Sequence, residues 1–85
     1  MKNKIPNEEN RLSYMEGEWA AGSINQYIEK TVYKTLDEAI KQKTILIEKF
    51  ESDFGYSPDM MDVDTNYFFN LGIRDGLQKL VKENE

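Results

Sequence analysis

The segment from Thr35 to Gly55 constrains the fold most, because it predicts a helix together with both of its ends. Thr35 and Glu38 have the spacing of a capping box, in which each side chain bonds a backbone N–H of the other residue. Apolar residues then recur at three- and four-residue spacings, interrupted once by Lys43. These residues are Leu36, Ile40, Ile47, Phe50 and Phe54. Gly55 suits the left-handed conformation that ends many helices. We predict a helix over residues 36–54.

A second helix is predicted over residues 64–83. Asp62 or Asp64 can cap its start, and Lys79 and Lys82 near its end are favourable with the helix dipole. The apolar residues at helical spacing are Phe69, Leu71, Ile73, Leu77, Leu80 and Val81.

The first third of the chain allows two interpretations. Asn7 can cap a helix, and large apolar residues follow it at helical spacing. These are Leu12, Met15 and Trp19. Gly17 and Gly22 each weaken that helix by roughly 1 kcal/mol relative to alanine, and it can break near Gly22. The rival is a short hairpin within residues 10–34, in which residues 27–33 form a strand rich in β-branched and aromatic side chains.

These segments predict one all-α domain of three helices over residues 1–85. The alternative fold is α+β, with the short hairpin packed on two helices. Residues 1–6 are expected to be a disordered tail. The predicted core consists of Trp19, Ile24, Leu36, Ile40, Ile47, Phe50, Phe54, Phe69, Ile73, Leu77 and Leu80.

Two missing residue types exclude several classes of chemistry. The 85 residues contain no cysteine and no histidine, which removes thiolate and imidazole chemistry from the candidate mechanisms. No apolar run approaches the ~18 residues of a membrane span, and the N-terminus lacks the apolar centre of a signal peptide. Basic residues are dispersed rather than gathered in a stripe. We therefore expect a cytoplasmic protein that is not an enzyme and that binds no cofactor, no membrane and no nucleic acid directly.

The negative charge is concentrated in one short segment. The formal net charge of -5 falls within residues 48–64, since the sequences on either side balance. The acids there are Glu48, Glu51, Asp53, Asp59, Asp62 and Asp64, against Lys49 alone. The last three precede or open a helix, where negative charge is favourable. The first three lie at the opposite, unfavourable end of a helix, so solvation, a nearby lysine or arginine in the fold, a basic partner or a metal must account for them.

Part of this segment resembles a calcium-binding loop. Residues 62–66 match the opening D-x-D-x-N of an EF-hand, but Tyr67 and Ile73 stand where the loop needs glycine and a bidentate glutamate. An aspartate cap is therefore the favoured interpretation. The candidate metal ligands that remain are Asp59, Asp62 and Asp64.

The helix over residues 64–83 carries two further features. Gly72 and Gly76 allow another helix to approach closely, either within the chain or from a second copy. Tyr67, Phe68 and Phe69 are consecutive and point about 100° apart. Either this helix is buried over a wide arc, or one ring lies at the surface.

We predict a small, acidic, non-enzymatic module, a regulator or inhibitor that binds another protein with a basic surface. The predicted partner-binding residues are Glu48, Glu51, Asp53, Met60, Met61, Tyr67 and Phe68. Acids would speed the encounter with a basic partner, and the methionine and aromatic side chains would supply affinity. The main alternative is a structural homo-oligomer, such as a homodimer, with a helix–helix interface at Gly72 and Gly76. Lesser alternatives are an acidic DNA mimic and a divalent-cation-binding protein.

In size, acidity and helicity the chain is similar to small immunity proteins and to small inhibitors encoded by bacteriophages. The likeness is one of composition and covers no residue pattern, so it implies no functional residue.

Overall fold

The computed structural model describes residues 5, 7–54 and 64–83. Its three helices are α1 (Glu8–Gln26), α2 (Leu36–Phe54) and α3 (Thr65–Glu83), and a 3-10 turn at Ile28–Lys30 follows α1. No strand occurs in these described ranges. The predicted all-α domain of three helices is therefore confirmed. The hairpin in residues 10–34 is wrong, because α1 and the 3-10 turn occupy most of that segment.

α1 begins after its predicted cap and is unbroken. The Asn7 side chain accepts hydrogen bonds from the backbone N–H groups of Glu9 (2.9 Å) and Asn10 (3.2 Å). The break that the sequence allowed near Gly22 does not occur, because α1 continues through this residue to Gln26. A glycine costs a helix only about 1 kcal/mol, and the neighbouring Ala21 is fully buried.

The other two helices begin at their predicted caps. The backbone N–H of Glu38 donates to Thr35 Oγ1 (3.1 Å), and α2 has the predicted bounds. Asp64 Oδ1 accepts from the backbone N–H of Tyr67 (3.1 Å), so Asp64 caps α3. The predicted roles of Gly55 and Asp62 lie outside the described residues.

α3 is the central helix, since it packs against both α1 and α2. Its buried residues are Tyr67, Phe68, Asn70, Leu71, Gly72, Ile73, Gly76 and Leu77. They surround most of the helix, so the wide buried arc is the arrangement that accommodates three consecutive aromatic residues.

α1 and α3 meet at their backbones. A Cβ atom on Gly17 would overlap the carbonyl oxygen of Phe69 and lie 2.9 Å from the nitrogen of Ile73. A Cβ atom on Gly72 would overlap the carbonyl oxygen of Tyr14. The crossing therefore requires glycine on both helices.

Gly76 extends this crossing by one turn. A Cβ atom on Gly76 would lie 2.8 Å from the Cβ of Ala21. Internal packing of Gly72 and Gly76 is thus confirmed. A second copy could use the predicted interface at these glycines only by displacing α1, because α1 already covers them.

The core forms two clusters of buried residues. One contains Ile5, Ile47, Tyr67, Phe68 and Leu71, and the other contains Ala21, Ala39, Ile73 and Leu77. Six other predicted core residues are half-buried and pack against them: Ile24, Leu36, Ile40, Phe50, Phe69 and Leu80. The Phe54 side chain lies outside the described residues. Ile5, in the segment expected to be a tail, is buried.

Trp19 is the clear error in the predicted core, because 78% of its surface is exposed. The glycine crossing explains the error. α1 meets α3 through Gly17 and Ala21, whose small size allows backbone contact, and an indole ring cannot fit at so short a separation.

A polar contact joins α2 to α3 at the residue that interrupts the apolar spacing. The Lys43 ammonium donates to Asn70 Oδ1 (2.8 Å), and Asn70 Nδ2 donates in turn to the Asn66 carbonyl oxygen (2.8 Å). The Lys43 side chain therefore contributes to the packing of α2 against α3.

Candidate functional site

The structure separates the residues predicted to bind a partner. Tyr67 and Phe68 lie in the core, with 0% and 1% of their surface exposed. Their rings are therefore not available to a partner, because both α1 and α2 cover α3. Met60 and Met61 lie outside the described residues.

Two of the three acids near the end of α2 have structural partners. Glu51 is half-buried, and its Oε2 accepts a hydrogen bond from the Tyr67 hydroxyl (2.8 Å). Asp53 forms an exposed ion pair with Lys49 (2.9 Å). These contacts account for two acids at the unfavourable end of a helix. Glu48 is exposed.

The candidate metal ligands do not form a site in the part of the chain that the structure describes. Asp64 caps α3, and its backbone N–H donates to Asn10 Oδ1 (2.8 Å). Asp59 and Asp62 fall outside the described residues. Within those residues, no group of three or more acids could hold a metal ion. No described helix is long and apolar enough to cross a membrane.

Polar groups between α1 and α3 hold the two helices together. Asn10 is fully buried, and the Tyr14 hydroxyl donates to Asp75 Oδ2 (2.6 Å). The Arg74 guanidinium donates to the other oxygen of Asp75 (3.0 Å). Such satisfied networks fix one arrangement of the helices.

Burial raises the pKa of Tyr67 above its usual value, and the hydrogen bond and the negative charge of Glu51 raise it further. The folded state therefore favours the protonated phenol. This contribution to stability is complete below pH 10.0, the pKa of an unperturbed tyrosine, and is lost as the pH rises above it.

Tyr67→Phe is expected to remove this pH dependence. At pH 7 the variant should lose about 1 kcal/mol of unfolding free energy with the hydrogen bond, and the gap to the original protein should shrink above pH ~10. Urea unfolding across this range measures the gap. Tyr27→Phe, at a residue that is 54% exposed, is the matched loss of a hydroxyl and should change the unfolding free energy at pH 7 by less than about 0.5 kcal/mol. Parallel curves for the original protein and Tyr67→Phe would contradict the prediction.

An open cleft of about 450 Å³ lies beside α2. Val32, Tyr33, Ile45 and Leu46 supply its apolar lining. The ammonium groups at its edge, from Lys43 and Lys49, already bond Asn70 and Asp53. The cleft therefore has an apolar wall and no uncommitted lysine among its described lining residues.

The clearest exposed apolar group lies on α1. Leu12, Met15 and Trp19 have 48%, 51% and 78% of their surface exposed. At about 100° per residue they share one narrow side of the helix, opposite Gly17 and Ala21. We name these three residues the α1 outer face. Three of the six large apolar side chains that the described residues expose belong to it.

Charged residues, most of them glutamates, flank the α1 outer face. The exposed acids of α1 are Glu8, Glu9, Glu16 and Glu18, and its one basic residue is Arg11, which is also exposed. At about 100° per residue, Glu8, Glu16 and Arg11 lie nearest to the apolar side chains. The sequence shows the helical spacing of these three residues, but the predicted core wrongly included Trp19.

Comparison with protein-family models, with curated proteins and with solved structures finds no match to this chain. Its function must therefore be inferred from its own surfaces.

Proposed function

We propose that this protein is a non-enzymatic protein-binding module and that it binds its partner through the α1 outer face. One observation carries the proposal: α1 has apolar residues on both sides, and only one side packs within the fold. Leu12, Met15 and Trp19 occupy the other side. Neighbouring apolar side chains left in water on one helix are typical of interaction surfaces.

Trp19 is the central residue of this proposal. Tryptophan is enriched among the residues that dominate binding energy, because its large ring buries much area with few rotatable bonds. At 78% exposed, Trp19 leaves most of that area to a partner.

A protein-binding module is also the function predicted from the sequence, but the binding surface proposed here is the α1 outer face instead of the residues between 48 and 68. Because Tyr67 and Phe68 are buried, we assign the source of affinity to α1 instead of α3. Glu48 and Asp53 remain exposed and can still contribute to long-range attraction of a basic partner.

A site-specific photo-crosslink tests the proposal in cells of the native host. We would replace Trp19 by the photoreactive amino acid benzoylphenylalanine, which preserves an aromatic ring at that position. We expect a discrete crosslinked product on irradiation, because the ring would lie inside the interface. Val32 is the matched control position, since it is 83% exposed and lies outside α1.

The mass of the product separates the two candidate functions. A heterologous product at position 19 and not at position 32 supports the module. A product of about twice 10.0 kDa would favour the structural homo-oligomer instead. The same photoreactive amino acid would also be placed at positions 12 and 15. If none of the three α1 positions gives a product that is absent at position 32, the α1 outer face is not a binding surface.

A further inference from the structure

Resting on the proposed function, we propose that the partner presents an apolar helix face or groove flanked by lysine or arginine, which packs along the α1 outer face with Trp19 as its anchor. This chemistry of the partner follows from the sizes and charges of the exposed side chains of α1.

The apolar side chains are too few to form a stable interface by themselves. A large aromatic residue buries at most about 250 Å², whereas a specific interface buries roughly 800 Å² on each partner. Leu12 and Met15 are each only about half exposed, so they add less than Trp19. A partner that reaches the usual area must therefore also cover the residues beside the apolar stripe.

Those neighbouring residues determine the sign of the partner's charge. Glu8, Glu16 and Arg11 lie nearest to the stripe, and Glu9 and Glu18 lie further around the helix, so four acids stand against one base. A carboxylate that loses water without gaining a cation or hydrogen-bond donor costs several kcal/mol. A partner that covers this side of α1 must therefore supply cations or hydrogen-bond donors, and the excess of four acids over one base favours cations.

The same charges argue against two other molecules that could cover the α1 outer face, namely a second copy of this chain and an anionic membrane. A second copy packed along α1 would bring two sets of four glutamates together, with one arginine from each chain to oppose them. An anionic membrane surface would repel the same carboxylates, and helices that lie on membranes are usually rich in lysine and arginine on their polar face.

A direct test uses two synthetic amphipathic helical peptides that share a leucine face and lack tryptophan. One carries lysine at all other positions, and the other carries glutamate. The protein contains one tryptophan, so Trp19 fluorescence reports on this face alone. We expect the lysine peptide to bind with a blue shift and with protection of Trp19 from iodide quenching. The glutamate peptide should cause neither change.

Variants measure separately how much Trp19 and the glutamates of α1 contribute to the binding of the lysine peptide. Isothermal titration calorimetry gives the affinity of each variant. We expect Trp19→Ala to weaken binding of the lysine peptide at least about tenfold, and Val32→Ala to change it less than about twofold. Glu8→Gln with Glu16→Gln, at the two acids nearest to the stripe, should weaken binding about threefold to tenfold and reduce its salt dependence. Glu48→Gln with Asp53→Asn changes the total charge equally and should have less than half that effect in free energy.

The outcomes distinguish this inference from the proposed function. Equal binding of the two peptides, or equal effects of the two charge-neutralised variants, would overturn the basic partner. So would dimerisation at low salt measured by light scattering, or a Trp19 blue shift with anionic vesicles. A heterologous crosslink at position 19 to an acidic partner would overturn this inference alone and leave the binding module intact. Absence of any crosslink on α1 would overturn both.

Discussion

Replacing Gly17 by alanine is expected to lower the free energy of unfolding by about 3 kcal/mol or more. The new methyl group would overlap the Phe69 carbonyl oxygen and lie 2.9 Å from the Ile73 nitrogen. Backbone atoms cannot rotate away as the end of a side chain can. α1 and α3 would therefore have to separate and lose packing along their whole crossing. Small domains have stabilities of only about 5–15 kcal/mol, so a loss of this size is easily measured by urea unfolding.

Gly22→Ala is the matched control, since it is the same substitution in the same helix. A Cβ atom on Gly22 would have nothing within 4 Å. The variant is expected to gain about 0.5–1 kcal/mol, which is several degrees in melting temperature for a domain of this size. Unfolding should be measured by far-UV circular dichroism instead of tryptophan fluorescence, because Trp19 is already exposed in the folded state and its emission would change little. Equal effects of the two substitutions would show that the helices do not meet at Gly17.

Gly72→Ala tests the same crossing from the other helix. Its methyl group would overlap the Tyr14 carbonyl oxygen. In the double variant Gly17→Ala with Gly72→Ala, the combined loss should be smaller than the sum of the single losses, because the first substitution already separates the helices.

The helices themselves could be predicted because their signals are local. The bonds from Thr35 and Asp64 to the following turns depend on residues three positions apart, and such capping patterns are visible in sequence. α2 has the predicted bounds, and α3 begins within one residue of its prediction.

The inward side of α1 could not be predicted from its large apolar residues, because α1 packs through its small ones. Ser13, Gly17 and Ala21 are spaced four residues apart, as are Gly72 and Gly76. Small residues at four-residue spacing on two different helices are the sequence signal for close helix packing. The large apolar residues of α1 also have helical spacing, and they indicated a different inward side. Following the larger side chains instead placed Trp19 in the core.

The burial of Tyr67 and Phe68 could not be predicted for a related reason. The aromatic run of α3 allowed either a wide buried arc or one ring at the surface, and the predicted partner-binding residues included both Tyr67 and Phe68. A helix with neighbours on two sides buries a wide arc, and whether a helix is central depends on long-range packing. The exposed α1 outer face is the opposite case, since α1 packs mainly against α3, on the side away from Trp19.

Replacing Phe68 by alanine is the second substitution with a large expected effect. Phe68 is 1% exposed, and its ring packs edge-on against that of Tyr67 at a centroid distance of 4.9 Å. Loss of a fully buried phenylalanine costs about 3–5 kcal/mol, because transfer energy is lost and a cavity remains. Phe69→Ala, at the half-buried neighbouring ring, should cost less than half as much.

The difference between Phe68→Ala and Phe69→Ala tests whether α3 is buried over the wide arc. Urea unfolding of both variants, followed by circular dichroism, measures it. If Phe68→Ala does not fold, Phe68→Leu retains most of the volume and should cost less than about 1.5 kcal/mol. If Phe68→Ala instead costs no more than Phe69→Ala, the Phe68 ring is not in the core. Binding would then be expected to use the surface around Tyr67 and Phe68, and Trp19 would not be needed as the anchor.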